Sequence, residues 1–193
     1  MSFWKAIAGL ISDTVARTVR IDASTHAMEV IDYEHHEIHG GSHFFVRGWA
    51  DVPINNVFDV QFTTPNTTKW SHFTFQIDVE SETEWFIYEN VTITTPGTAI
   101  TPINNNRNSG TASTNTVRSI ANTSVANANA DTAVAGATLL ANAVIGAGKT
   151  AGVVAREREI IFRQGEDYCF RALANTAGYI SFRMSWYEHT DKN

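Results

Sequence analysis

The residues best suited to chemistry lie in one stretch, residues 31–46, with the sequence IDYEHHEIHGGSHFFV. It contains four histidines, two glutamates and a tyrosine. Histidine titrates near neutral pH and can hydrogen-bond to carboxylates or bind metals. The motif Tyr-Glu-His of residues 33–35 recurs at residues 187–189. We expect the two segments to lie near each other and to form a histidine–carboxylate network at a subunit interface. Its candidate members are Tyr33, Glu34, His35, His36, Glu37, His39, His43, Tyr187, Glu188 and His189.

A bound metal ion is an alternative use of the same residues. If residues 33–39 are extended, alternate side chains share one face, and residues two apart can bind the same ion. The candidate metal ligands are then His35, Glu37 and His39. Gly40 and Gly41 follow directly and make the local geometry uncertain, and no known short metal pattern matches. A solvated polar face is the third reading, and we expect no cofactor.

Enzymatic signatures are missing from the sequence. The chain has no G-x-S-x-G motif, and Cys169 stands between Tyr168 and Phe170 as a buried structural thiol would. Residues 146–150, GAGKT, resemble a phosphate-binding loop, but Ala143 stands where that pattern requires glycine. The histidines also do not match the ligand order of metal-dependent jelly-roll enzymes. We therefore predict that the protein is not an enzyme.

The chain length, the net charge and the cysteine count exclude several classes of protein. A chain of 193 residues is expected to form one domain with a substantial core. Its formal net charge of -6 argues against a nucleic-acid partner, because such proteins usually carry a basic patch. One cysteine excludes an intramolecular disulfide framework. No apolar run reaches the length of a membrane helix, and we read the N-terminus as lacking a signal peptide.

Residues 2–18 have the apolar spacing of an amphipathic helix, so residues 1–20 are predicted to form an N-terminal helical arm. This helix either packs on its own domain or lays its apolar face on a partner. The candidate docking residues are Phe3, Trp4, Ile7, Leu10 and Ile11.

Residues 21–193 are predicted to form an antiparallel all-β sandwich of the jelly-roll type. Residues 70–80 alternate strictly between large apolar and polar side chains, as expected for a sheet with one buried face. Jelly rolls commonly place their first and last strands in one sheet, which would join the two Tyr-Glu-His segments. Residues 104–155 lack aromatic side chains and are rich in Ala and Asn. We predict there a long loop or arm, with weak strands near residues 116–120 and 138–145.

Several blocks of the sequence resemble a group of tailed-bacteriophage virion structural proteins, the head decoration (cement) proteins. The blocks are RIDASTH (20–26), IDYEHHEIH (31–39), GSHFF (41–45), FTTPNTTKWSH (62–72), YEN (88–90), NNRNS (105–109) and WYEHT (186–190). The resemblance implies a jelly roll that binds the outside of the capsid as a homotrimer, with the major capsid protein as partner. It also implies location on the virion surface after synthesis in the host cytoplasm. It supplies no catalytic residues.

Two other functions compete with this one. The first is a trimeric tail-tip or fibre module that binds receptor glycans, which exposed tryptophan and acidic residues would favour. The second is a metal-dependent jelly-roll enzyme, which a tightly bound metal in an open pocket would favour.

Overall fold

A computed structural model describes residues 33–124, 137–153 and 159–190 of the chain. Within these ranges the protein has one helix and twelve strands. They are α1 (Tyr33–Gly40), β1 (His43–Val52), β2 (Asn56–Thr63), β3 (Trp70–Val79), β4 (Thr83–Glu89), β5 (Thr98–Ile100), β6 (Ile103–Asn104), β7 (Thr116–Ser124), β8 (Thr138–Ile145), β9 (Lys149–Val153), β10 (Ile160–Phe162), β11 (Asp167–Ala174) and β12 (Gly178–His189).

The strands form two antiparallel sheets that pack face to face. The first sheet has the order β10-β3-β12-β1-β6, with β9 also paired to β3. The second sheet has the order β5-β7-β2-β11-β4-β8. Strands β9 and β10 both pair with β3 and act as two halves of one strand.

With β9 and β10 counted together and β5–β7 set aside as an insertion, the pairing is nested. The first strand pairs with the eighth (β1 with β12), the second with the seventh (β2 with β11), and the third with the sixth (β3 with β9 and β10). The fourth pairs with the fifth (β4 with β8). This nesting defines a jelly roll, so the predicted fold class is confirmed.

The core lies between the sheets and is rich in aromatic rings. The alternation predicted for β3 is confirmed, because Phe73, Phe75, Ile77 and Val79 are all buried. Phe62 of the second sheet lies edge-on to Trp186 of the first, with ring centroids 5.0 Å apart. Such edge-to-face pairs add to the stabilisation that burial of the ring surface provides.

Residues 104–155 do not project as an arm where the structure describes them. The predicted weak strands are present as β7 and β8, and they extend the second sheet along β2 and β4. Val117 and Ile145 are part of the hydrophobic core. The predicted weak strands are therefore confirmed, and the structure places them in the second sheet. The β-branched residues of these segments, such as Val117, Ile120 and Val144, favour strands without aromatic residues.

The helix α1 replaces the extended segment considered for residues 33–39. It ends in a Schellman motif, in which the Ser42 N–H donates to Glu37 O (3.0 Å) and the Gly41 N–H donates to Ile38 O (3.1 Å). Gly41 has a φ of 75°, which favours glycine. The Gly-Gly pair therefore caps a helix. Glu34 in the first turn and His39 in the last turn also suit the helix dipole.

The predicted N-terminal helix, with the docking candidates Phe3, Trp4, Ile7, Leu10 and Ile11, lies outside the described residues and stays a prediction. Across the ranges that the structure does describe, no helix has the length and hydropathy needed to cross a membrane.

Candidate functional site

The two Tyr-Glu-His segments lie at the same end of the sandwich, the first in α1 and the second in β12. His43 at the start of β1 is the register partner of Tyr187 in β12, and Tyr187 is in turn the partner of His72 in β3. The Glu188 N–H also donates to Ser42 O at 2.9 Å, directly after α1. The predicted proximity of the segments is confirmed, and its cause is the pairing of the first and last strands.

Four side chains on the outer face of the first sheet form a continuous hydrogen-bonded group, which we call the histidine cluster: His72, Glu159, Tyr187 and His189. His72 Nδ1 lies 2.7 Å from Glu159 Oε1, and the Tyr187 hydroxyl donates to the same oxygen at 3.0 Å. His72 Nε2 lies 2.7 Å from His189 Nε2. His72 also stacks on Tyr187, with ring centroids 4.5 Å apart.

This arrangement accounts for the protons of the cluster. One tautomer satisfies these contacts together: with the His72 proton on Nδ1, Glu159 accepts from His72 and from the tyrosine, and His72 Nε2 accepts the Nε2 proton of His189. The side chains of His72 and Glu159 are only 12% and 19% exposed. The geometry therefore provides a partly buried pair of hydrogen-bonded imidazoles, and the Glu159 carboxylate fixes the orientation of the His72 ring.

Sequence reasoning missed two members of this cluster, His72 and Glu159. Glu159 lies 87 positions away from His72 in the chain. Only the pairing of β10 with β3 brings the two together. The sequence did contain one signal: His72 lies on the polar face of a strongly alternating strand. Its side chain therefore had to lie next to a side chain from whichever strand pairs with β3 on that side.

The side chains of α1 form a second polar group. His35 and His39 face each other across one helical turn, with their Nε2 atoms 2.8 Å apart. The Glu37 carboxylate contacts the Ser42 hydroxyl and lies 3.5 Å from His36 Nδ1. Tyr33 begins the helix. Glu34, His35, His36 and His39 are exposed, whereas Glu37 is buried.

The three candidate metal ligands, His35, Glu37 and His39, are not brought together. Two residues along a helix correspond to a rotation of about 200°, so Glu37 lies on the opposite side from the two histidines. Among the residues that the structure describes, no group of three or more His, Cys, Asp or Glu side chains is arranged to hold a metal ion.

His43 links the helix to the asparagine-rich loop after β6. Its ring is 3% exposed, with Nε2 3.2 Å from Glu34 Oε1 and Nδ1 2.6 Å from Asn105 Nδ2. An Asn105 N–H donated to Nδ1 leaves the proton of neutral His43 on Nε2, where it faces Glu34. Burial lowers the pKa of His43, and this effect outweighs the opposing influence of Glu34.

Acidification should therefore destabilise this end of the protein. The pKa of His43 is about 6.5 in the unfolded chain and lower in the folded protein, so the unfolded state binds more protons as pH falls below about 6.5. Stability is then complete above that pH and declines below it, down to the folded pKa. We expect the melting temperature to fall by a few degrees between pH 7.5 and 5.5, measured by calorimetry. The variant His43→Gln should show a weaker dependence on pH.

His36→Gln is the matched control, because His36 is exposed on the neighbouring helix α1, outside the buried position that His43 occupies at the start of β1. It should retain the pH dependence of the parent protein. If melting temperature and oligomer size are the same at pH 5.5 and 7.5, folding does not lower the pKa of His43 and the prediction is contradicted.

Glu188 points away from the cluster and into the sandwich, because adjacent residues on a strand face opposite sides. It is 2% exposed. Its carboxylate accepts hydrogen bonds from the Thr114 N–H (3.0 Å), the Asn115 amide (3.0 Å) and the Trp186 indole N–H (3.0 Å). The hydroxyls of Ser113 and Thr114 donate to it as well. Glu188 thus anchors the loop before β7, and its assignment to one network with Tyr187 and His189 is wrong.

A buried ion pair that the sequence did not reveal lies on the outer side of the second sheet. Arg171 of β11 forms a bidentate ion pair with Asp59 of β2, in which Nε donates to Oδ1 at 2.9 Å and Nη2 donates to Oδ2 at 2.7 Å. Asp59 is 0% and Arg171 5% exposed. Burial raises the pKa of Asp59, and the Arg171 hydrogen bonds oppose the rise.

Cys169 lies next to this ion pair and is fully buried. Burial raises the pKa of its thiol well above the ordinary value, so the reactive thiolate is disfavoured. The predicted buried structural thiol is therefore confirmed.

The histidine cluster, α1 and the loops at residues 105–115 together form one polar end of the jelly roll. Comparison with family models, curated proteins and solved structures found no match for this chain. The functional argument therefore depends on the fold and on the chemistry of its surfaces.

Proposed function

We propose that the protein is a virion structural protein that coats the outside of a phage head as a homotrimer and stabilises the shell. The observation that carries this proposal is the exposed apolar surface of β8. Leu139, Leu140 and Val144 are 48%, 36% and 65% exposed. A protein that functions as an isolated monomer rarely leaves such a strand uncovered.

The position of β8 makes this surface suited to self-association. β8 is the outermost strand of the second sheet and pairs with β4 on one side, while its other side has no strand partner in the described part of the chain. Unpaired backbone groups beside apolar side chains recruit a further chain. A closed ring of identical subunits would cover every copy of this edge.

The fold and the sequence blocks support the viral role. Jelly rolls are common in viral capsid proteins, although the fold alone does not determine function. Three of the blocks that carry the resemblance to decoration proteins meet in space. Asn106 of one block donates to His39 O of another at 3.1 Å, and His43 of a third contacts Asn105.

The trimer can be tested at β8. Val144→Lys places a charge on the exposed strand edge, so we expect it to convert a trimer into monomers at micromolar concentration, measured by size-exclusion chromatography with light scattering. Ile54→Lys is the control, because Ile54 is 56% exposed but lies in the turn between β1 and β2. A monomeric parent protein, or a Val144→Lys variant that stays trimeric, would contradict the proposed contact.

The location can be tested with a gold-labelled antibody on intact particles, viewed by negative-stain electron microscopy. Label over the heads supports the decoration role. If the heads are labelled, removing residues 1–20 should abolish binding to shells that lack the protein, which tests the docking residues predicted there. Absence of label from all particles would refute the virion role.

A trimeric tail-tip or fibre module that binds receptors is the second candidate function. The exposed Trp49, 71% accessible on the outer face of the first sheet, favours it. Gold label confined to the tail end would select this function and exclude head decoration.

A further inference from the structure

The outer face of the first sheet carries a groove that neither the polar end nor the β8 edge uses. It crosses the three central strands β1, β12 and β3 and has a volume of about 790 Å³, within the usual size of a ligand site. The side chains that line it are Arg47, Trp49, Gln76, Asp78, Ser181 and Arg183.

Two large, exposed aromatic side chains lie at the edge of this groove: Trp49, which lines it, and Tyr179 beside Trp49. Trp49 is 71% and Tyr179 51% exposed, and their ring centroids lie 5.7 Å apart. Trp49 is the register partner of Ser181, so Tyr179 is its diagonal neighbour across the strands. An exposed pair of rings next to polar side chains suits a ligand with both apolar C–H faces and hydroxyl groups. A pyranose ring has this character.

Gln76 and Asp78 line the groove with planar hydrogen-bonding groups. Gln76 Nε2 donates to both oxygens of Asp78, at 3.3 and 3.2 Å, and the Thr150 hydroxyl contacts the same carboxylate. These contacts hold Gln76 and Asp78 in fixed positions. Fixed amide and carboxylate groups can donate to and accept from the hydroxyls of a sugar.

The charge of the groove specifies the ligand further. Arg47 and Arg183 are register partners and both are exposed, so two cations face each other across adjacent strands. Like charges in this position are destabilising. Among the described residues, neither guanidinium forms an ion pair. A carboxylate on the ligand would relieve the repulsion, and guanidinium groups bind carboxylates with two parallel hydrogen bonds.

Arg183 is already positioned for such a contact. Its guanidinium lies 4.9 Å from the centre of the Phe45 ring, and its Nε donates to Ser185 Oγ at 3.4 Å. Stacking restricts the side chain, so less conformational entropy is lost when it binds. Two strand spacings, roughly 10 Å, separate β1 from β3, so the groove spans a short oligosaccharide.

We infer that this groove binds an acidic oligosaccharide, with Trp49 and Tyr179 packing against sugar rings and Arg47 and Arg183 holding a carboxylate. The inference is independent of where on the virion the protein lies, and of the β8 contact, which belongs to the other sheet.

The test uses the full chain and two acidic probes, trigalacturonic acid and α2,8-linked trisialic acid, with cellotriose as the neutral probe. Isothermal titration calorimetry and tryptophan fluorescence should detect binding of at least one acidic probe, weakened by added salt. Cellotriose should bind at least about tenfold more weakly. Trp49→Ala and Arg183→Gln should each weaken acidic-probe binding by about tenfold.

Two control variants make the test specific. Arg107→Gln removes the same charge from an exposed position in the loop after β6, and Ile161→Ala shortens an apolar side chain that is 47% exposed on the same sheet face outside the groove. Both should bind like the parent protein. The inference is overturned if neither acidic probe binds, if cellotriose binds equally well, or if Trp49→Ala binds normally. It is also overturned if Trp49→Ala dissociates the oligomer, because the groove would then be a contact between copies.

Discussion

Asp59→Ala is expected to lower the free energy of unfolding by about 3–5 kcal/mol, measured by urea denaturation at neutral pH. The reason is that the substitution leaves the Arg171 guanidinium buried without its two-pronged partner. Asp51→Ala is the control, because Asp51 is exposed on β1. This control should change stability by no more than about 0.5 kcal/mol.

A double variant separates the net contribution of the ion pair to the free energy of unfolding from the destabilisation caused by removing one partner. Asp59→Leu with Arg171→Met replaces both charges by apolar side chains of similar size. Such replacements are often neutral or stabilising, so the double variant should recover most of the stability lost in Asp59→Ala. If Asp59→Ala loses less than about 1 kcal/mol, the pair is effectively solvated in solution.

Glu188→Ala should have the second large effect, a loss of at least about 3 kcal/mol in the free energy of unfolding. It leaves the Trp186 indole, the Thr114 amide and the Asn115 side chain without their acceptor. Because these donors belong to two separate parts of the chain, the loop at residues 113–115 should detach from β12. Hydrogen exchange should show faster exchange of the Thr114 amide.

The matched control for this prediction is Glu82→Ala, because Glu82 is exposed between β3 and β4 and its carboxylate accepts an exposed hydrogen bond from the Asn175 side chain. It should leave both stability and exchange of Thr114 unchanged. Equal exchange rates for Thr114 in Glu188→Ala and the parent would show that the loop is held by other contacts.

The sequence was informative where one physical signal dominated. The alternation of Phe73, Phe75, Ile77 and Val79 with polar residues identified β3 and its buried face. The short strands and frequent turns indicate a β-sandwich, and the jelly-roll topology, in which the first and last strands share a sheet, predicts that the two Tyr-Glu-His segments lie together. In each case the deciding information lay within a few neighbouring residues or in the order of the strands.

The errors arose where local patterns were ambiguous. Residues 33–40 are polar on all sides, so they lack the apolar stripe that identifies a helix. Gly40 and Gly41 leave the local geometry uncertain in the sequence, because a glycine pair fits a helix cap as well as a turn. The partnership of Asp59 with Arg171 joins residues 112 positions apart and depends on the register of β2 with β11. That register could not be derived from either strand alone.

Because β1 pairs with β12, the two ends of the sandwich differ: one holds the first and last residues of the sandwich strands, and the other holds tight turns. The chain enters the sandwich at His43 and leaves it near His189, at the same pole. The tight turns between β1 and β2, β3 and β4, β8 and β9, and β11 and β12 all lie at the opposite pole, where the Gly148 N–H donates to Glu80 O. A subunit attached to a shell through its N-terminal segment would present these turns outward. Peptides inserted after Gly146 would then be displayed as a regular array of epitopes on the particle surface.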